Sequence, residues 1–160
     1  MDTGGSARSV SLSERLTTLF HEVRNKETGR EYTPRDVEDF VKEKMAHLSA
    51  EEQKTRTISH TYLWQLKRGY RLNPTLGHLQ SLAEFFGVPT SYFTDTDLTE
   101  GELEHQALLA AGLRDDTVRQ IMLRLVRSDA DTRDLVLHVL THTDKLRNGE
   151  PASPVELDAP

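Results

Sequence analysis

The stretch Ser59-His60-Thr61-Tyr62-Leu63-Trp64-Gln65-Leu66-Lys67-Arg68-Gly69 decides how the rest of the chain is read. Serine is a preferred N-cap because its hydroxyl accepts from an unpaired amide in the first helical turn. Glycine ends a helix where the backbone must turn left-handed. Between the two, the sequence predicts a compact helix from His60 to Arg68. On a wheel of about 100° per residue, Leu63 and Leu66 set the inward direction. Thr61 and Arg68 then point almost directly outward, flanked by Trp64 and Gln65. The outward stripe carries no acid that would repel a phosphate.

N-terminal to this helix, Thr33-Pro34-Arg35-Asp36 opens another, with a cap hydroxyl, a proline in the first turn and an acid near the positive end of the dipole. Val37, Phe40, Val41 and Met45 form its apolar stripe. The polar segment His47 to Thr57 reads as a loop with a short turn opened by Ser49. Further back, Ser11-Leu12-Ser13-Glu14 has the form of a capping box, followed by Leu16, Leu19, Phe20 and Val23 at helical spacing. C-terminally, Thr75 caps a helix whose inner face is Leu76, Leu79, Leu82, Ala83 and Phe86 and which Gly87 ends. Pro89 to Phe93 suggests a short last helix. Five helices between Ser11 and Phe93, with no alternating strand pattern, predict an all-α domain.

Beyond Thr94 the helices turn acidic. Glu102 to Ala111 is one, ended by Gly112. Asp115-Asp116 introduces a second with Val118, Ile121, Met122, Leu125 and Val126. Asp129 to Asp131 introduces a third with Leu135, Val136, Val139, Leu140 and Leu146. Residues 1–10 are expected to be flexible and residues 148–160, with three prolines and no periodicity, to be a disordered tail.

The chain of 160 residues has a formal net charge of −6, unevenly spread. Residues 1–93 hold 13 basic and 12 acidic residues, and residues 94–160 hold 7 and 14. Gln53 to Ala83 has no acid and five cations, Lys54, Arg56, Lys67, Arg68 and Arg71, and such an island is where a polyanion docks. Absence of cysteine excludes disulfides, thiolate metal sites and cysteine nucleophiles. No apolar run approaches the ~20 residues that span a bilayer. With no secretory signal in view either, a cytoplasmic protein is expected.

Enzymatic readings find little support. His138 and His142 stand one helical turn apart, a spacing that suits a metal, but no third ligand is near in sequence and surface histidines are the plainer reading. Asp115-Asp116 and Asp129 to Asp131 sit where helix caps are expected. Neither a phosphate-cradling glycine loop nor a serine elbow is present. The expectation is no enzyme, no metal and no cofactor.

The residue types of the short helix fit duplex recognition. Gln65 presents a donor and an acceptor suited to adenine N6 and N7, and His60 and Thr61 reach base edges or phosphate. Trp64 packs on a sugar or a thymine methyl. Lys67, Arg68 and Arg71 suit phosphates, as does the helix N-terminus at Ser59, and Arg35 can clamp the neighbouring backbone. Plainer readings stand beside these: a solvated Gln65, a core or interface Trp64, and arginines that only solubilise.

Tyr62-Leu63-Trp64-Gln65-Leu66-Lys67-Arg68-Gly69-Tyr70-Arg71-Leu72-Asn73-Pro74-Thr75, then Leu82 to Val88 and Tyr92 to Asp95, resembles the Xre/Cro/CI helix-turn-helix family in its actinobacterial, EspR-like branch. Arg114 to Ile121 resembles the C-terminal region of that branch. The likeness implies a five-helix, lambda-repressor-like DNA-binding domain over residues 11–95 and a helical dimerisation domain over 96–147. It implies that Ser59, His60, Thr61 and Gln65 approach bases and that Arg68 and Arg71 contact phosphates. The linker 47–57 is longer than usual for the family, and its Lys54 and Arg56 can touch the DNA backbone. Ile121, Leu125, Leu135, Val139 and Leu140 are expected to meet a second copy, giving two recognition helices for half-sites ~34 Å apart or at another spacing set by the dimer. The expected function is that of a dimeric, sequence-specific transcriptional regulator on double-stranded DNA in the cytoplasm. An architectural nucleoid-associated protein, or an interaction module that no longer binds DNA, are the alternatives.

Overall fold

A computed structural model of the chain describes residues 9–147, so the expected flexible start and disordered tail fall, apart from Ser9 and Val10, outside the described residues. Among the described residues the protein is all-α, with helices α1 (Leu12–Glu22), α2 (Pro34–Met45), α3 (Ala50–Arg56), α4 (His60–Lys67), α5 (Leu76–Phe86), α6 (Ser91–Thr94), α7 (Glu100–Arg114), α8 (Asp116–Arg127) and α9 (Ala130–Arg147). The chain divides between Asp115 and Asp116 into two compact units.

Helix starts in the first unit follow from the caps. Ser11 with Glu14, Thr33 with Asp36, Ser49 with Glu52, Thr75 with His78 and Thr99 with Glu102 each make a reciprocal capping box. Each box satisfies two amides that the helix itself leaves open. Gly69 and Gly87 stop α4 and α5 in the left-handed region, at φ of 74° and 73°. Asn25 to Arg30 form the turn between α1 and α2, closed by the Asn25 amide on the Arg30 carbonyl at 2.9 Å.

The core gathers Leu16, Leu19 and Phe20 of α1, Val37 and Val41 of α2, Leu63 and Leu66 of α4, Leu82 and Phe86 of α5, and Tyr92 of α6. Phe20 and Phe86 meet edge to face at 5.0 Å. One charged side chain lies within it. Arg15 donates from Nη1 to the Tyr92 carbonyl at 2.6 Å and from Nε to the Val10 carbonyl at 3.0 Å, while the Tyr92 hydroxyl donates back to the Arg15 carbonyl at 3.1 Å. Burial pushes the Tyr92 phenol up to about 12, so it stays a donor at every physiological pH.

Two sequence expectations are corrected. Residues 47–57 are not a loop, because Ser49 caps the seven-residue helix α3, which buries none of its own side chains. Thr75 Oγ1 donates to the Thr55 carbonyl at 3.1 Å and Ser81 Oγ to the Arg56 carbonyl at 2.9 Å, so α5 holds α3 by its backbone. Nor does Gly112 end α7, which continues to Arg114. The Arg114 guanidinium donates to the Phe85 carbonyl and, at 3.1 Å, to the Tyr32 hydroxyl, holding the last turn in place. Leu103, Ala107 and Ala110 of α7 are buried, and the small side chains of the two alanines let the helix lie close to α1. The first unit therefore runs past residue 95, where the composition changes, as far as Asp115.

In the second unit, Asp129 caps α9 through the Thr132 amide at 2.8 Å. None of the α8 side chains is buried. Ile121, Leu135, Val139 and Leu140 are exposed, and Leu125 is half-buried. Leu125, Val126, Val136, Leu137 and Leu140 line a hollow of about 400 Å³ with Arg133 at its rim. The rings of His138 and His142 stack at 6.4 Å.

Candidate nucleic-acid interface

Helix α4 is fastened at both ends. Its own Leu63 and Leu66, and Ile58 just before it, are buried. Ser59 Oγ accepts from the Tyr62 amide at 3.2 Å, but the third helical residue is a tyrosine, so no capping-box acid is available. Glu38 of α2 supplies one from outside. Its Oε2 accepts from the His60 amide at 3.0 Å and lies 2.5 Å from His60 Nδ1, while Oε1 pairs with Lys42 Nζ at 2.7 Å. A carboxylate so close to Nδ1 makes that nitrogen the donor. At the other end, Ser13 Oγ of α1 donates to the Lys67 carbonyl at 2.5 Å. Past Gly69 the chain folds back, and the Tyr70 and Arg71 amides donate to the Gln65 carbonyl at 2.9 and 3.3 Å.

The Glu38 carboxyl is held down to about 2 from its ordinary 4.5, first by the hydrogen bond from Lys42 and then by the amide and ring of His60. A folded-state pKa below the unfolded one stabilises the fold above the unfolded value and loses that contribution as pH falls through the folded one. The stability that Glu38 contributes is thus full above about pH 4.5 and is lost as pH falls from there through about 2. Thermal unfolding of the protein and of Glu38→Gln is expected to differ near neutral pH and to converge below about 4.5. A difference that stays constant down to pH 2 contradicts this role for Glu38.

Facing outward, Thr61 and Arg68 are exposed as the helical wheel expects, Trp64 is 44% exposed and Gln65 is half-buried. The Trp64 ring has the Arg68 guanidinium 5.4 Å from its centroid and the Tyr70 ring at 5.6 Å. Such cation–π and ring contacts restrict an exposed arginine to fewer orientations. Arg35, on the first turn of α2, shares an open depression of about 330 Å³ with Thr33, Pro34, His60, Thr61 and Trp64. Arg71 is exposed, and its Nε donates to Gln65 Oε1 at 3.4 Å.

The structure thus brings together Arg35, His60, Thr61 and Trp64 around the depression, and Gln65, Arg68 and Arg71 about the turn at Gly69. Ser59 is exposed, with its hydroxyl engaged as the cap. The helix N-terminus, read from the sequence as a phosphate site, already has its His60 and Tyr62 amides satisfied by Glu38 and Ser59. Three other cations stand apart. Arg56 is paired with Glu84 at 3.1 Å, Lys54 lies exposed on α3 at 3.8 Å from Glu51, and the Lys67 ammonium sits 4.4 Å over the Phe20 ring. Glu38 and Tyr70 are the participants that sequence reasoning missed. The Glu38 contact is tertiary, with no signal at its own position. Tyr70 is 68% exposed, and an aromatic directly after a helix-ending glycine was the signal available for it.

No protein-family model matches the chain. It is similar to the nucleoid-associated protein EspR of Mycobacterium tuberculosis, in both strain CDC 1551 / Oshkosh and strain ATCC 25618 / H37Rv. Identity is 33% over 144 residues, covering 89% of this chain and 96% of the relative. With that identity held over nearly the whole of both proteins, the chain belongs to the EspR family.

Proposed function

We propose that this protein is a nucleoid-associated, DNA-binding regulator of the Xre/Cro/CI helix-turn-helix type, residing in the cytoplasm and acting as a homodimer. In this reading α2 and α4 are the helix pair, α3 lengthens the turn between them, and α4 enters the major groove. The observation that carries it is the outward edge of α4. Thr61, Trp64 and Arg68 are exposed, the stretch from Gln53 to Ala83 has no acid, and Glu38 is turned into the protein to hold the helix. A relative named for its association with the nucleoid, matched over nearly its full length, supports the same reading.

The roles divide by chemistry. His60, Thr61, Trp64 and Gln65 face base edges, and Ser59 orients the first turn that carries them. Arg68, stacked on Trp64, and Arg35, across the depression, neutralise phosphates on either side of the groove. Lys54 reaches the backbone from α3. Arg56 and Lys67 are assigned to the fold, through Glu84 and Phe20.

Dimerisation is assigned to the second unit. Ile121, Leu135, Val139 and Leu140 leave more apolar surface exposed than a monomer ordinarily tolerates in so short a segment, and a two-fold partner covers it. A chain truncated after Asp115 is expected to sediment as a monomer and the full chain as a dimer. A dimeric truncated chain would move the interface into the first unit.

Selection of bound duplexes from a random-sequence pool tests the function. Enrichment of a two-fold-related motif supports a sequence-specific regulator. Binding without any enriched motif favours an architectural role, which the relative's nucleoid association independently suggests. A protein that retains no duplex would be an interaction module, and the proposal would fall.

A further inference from the structure

We infer that Arg71 is a positioning residue for base choice, holding the Gln65 side-chain carbonyl so that Gln65 reads a base with its NH2 alone. The inference rests on the DNA-binding reading above. Arg71 does not meet Gln65 by chance of side-chain reach. The left-handed turn at Gly69, φ 74°, returns the chain onto α4, and the Tyr70 and Arg71 amides both close on the Gln65 main-chain carbonyl, at 2.9 and 3.3 Å. From there Arg71 Nε donates to Gln65 Oε1 at 3.4 Å. A guanidinium has donors only, so whichever end of the amide faces it must be the oxygen. That requirement fixes the amide, and the NH2 becomes its working end.

A free glutamine pairs with adenine by giving a hydrogen bond to N7 and accepting one from N6. Here the acceptor is engaged. The carbonyl keeps a second lone pair, but the adenine amino group would have to approach beside a cation whose Nε already donates to the same oxygen. Guanine offers acceptors at both N7 and O6 and meets no such conflict. Arg71 therefore tilts Gln65 from adenine toward guanine. A phosphate contact, the role expected of Arg71 from sequence, would strengthen binding to every duplex alike.

Selection from a random-duplex pool, run on the wild type, Arg71→Ala, Gln65→Ala and the double variant, separates these roles. The wild type is expected to favour guanine over adenine at one position by roughly five- to a hundredfold. Arg71→Ala is expected to move that position toward adenine. In the Gln65→Ala background the preference is gone, and removing Arg71 changes no base frequency. Uniform weakening by Arg71→Ala with an unchanged motif would overturn the inference, as would a preference that still depends on Arg71 without Gln65. A wild type that binds duplexes with no base preference overturns it while DNA binding stands. A wild type that binds none removes the DNA-binding reading and this inference together.

Discussion

Replacing Phe20 by alanine is expected to cost about 3–5 kcal/mol, the range for removing a buried phenyl ring whose site collapses only in part. The ring is 1% exposed and stands edge to face with Phe86 at 5.0 Å. Its loss therefore leaves a hole between α1 and α5 that neighbouring side chains fill only in part. Lys67, at the end of α4, also lies over this ring at 4.4 Å, and Ser13 on the same helix α1 donates to the Lys67 carbonyl. The damage reaches the last turn of the proposed recognition helix. Against a domain stability of about 5–15 kcal/mol, such a loss brings the first unit near its threshold. Urea unfolding followed by far-ultraviolet circular dichroism reads it directly, and a loss under about 1 kcal/mol would contradict the packing described.

Gly77→Ala is expected to destabilise by about 3 kcal/mol, at the upper end for overpacking by a single methyl, because the obstruction is backbone. A Cβ at Gly77 would stand 2.4 Å from the Thr55 carbonyl oxygen and 2.9 Å from its carbon. The position needs glycine for close approach. On either side of it, Thr75 and Ser81 donate to the Thr55 and Arg56 carbonyls, so separating α3 from α5 by an ångström or so weakens both bonds as well. Loss of α3 protection in amide hydrogen exchange, with α1 still protected, is the expected signature. A variant as stable as the wild type would mean that α3 does not rest on α5 in this way.

These two positions also mark what the sequence discloses and what it does not. Helices α1, α2, α4 and α5 are legible because each repeats apolar residues at helical spacing behind a hydroxyl cap, as Leu16, Leu19, Phe20 and Val23 do behind Ser11. Helix α3 has no such stripe. It is held by its carbonyls, through Thr75, Ser81 and the missing Cβ of Gly77, and none of these lies in its own sequence. Gly112 misleads for a related reason: glycine ends a helix only where the backbone turns left-handed, and α7 carries on because Arg114 is secured on Phe85 and Tyr32.

In the candidate interface, residue type was legible and commitment was not. Arg56, Lys67, Arg68 and Arg71 look alike in a basic stretch. Only the fold shows that the first pairs with Glu84, the second lies over Phe20, the third stacks on Trp64 and the fourth donates to the Gln65 side chain. Glu38 could not be read from a segment 22 residues away, although it determines that the α4 N-terminus is served by the protein itself.

Titration of a labelled mixed-sequence duplex with the wild type and Arg68→Ala, at a series of salt concentrations, tests the proposed interface most directly. If α4 docks on DNA, log affinity falls linearly with log salt, and Arg68→Ala reduces the steepness by about one unit, the share of one neutralised phosphate. Affinity that ignores salt, or an Arg68→Ala line that overlies the wild type, would contradict the account.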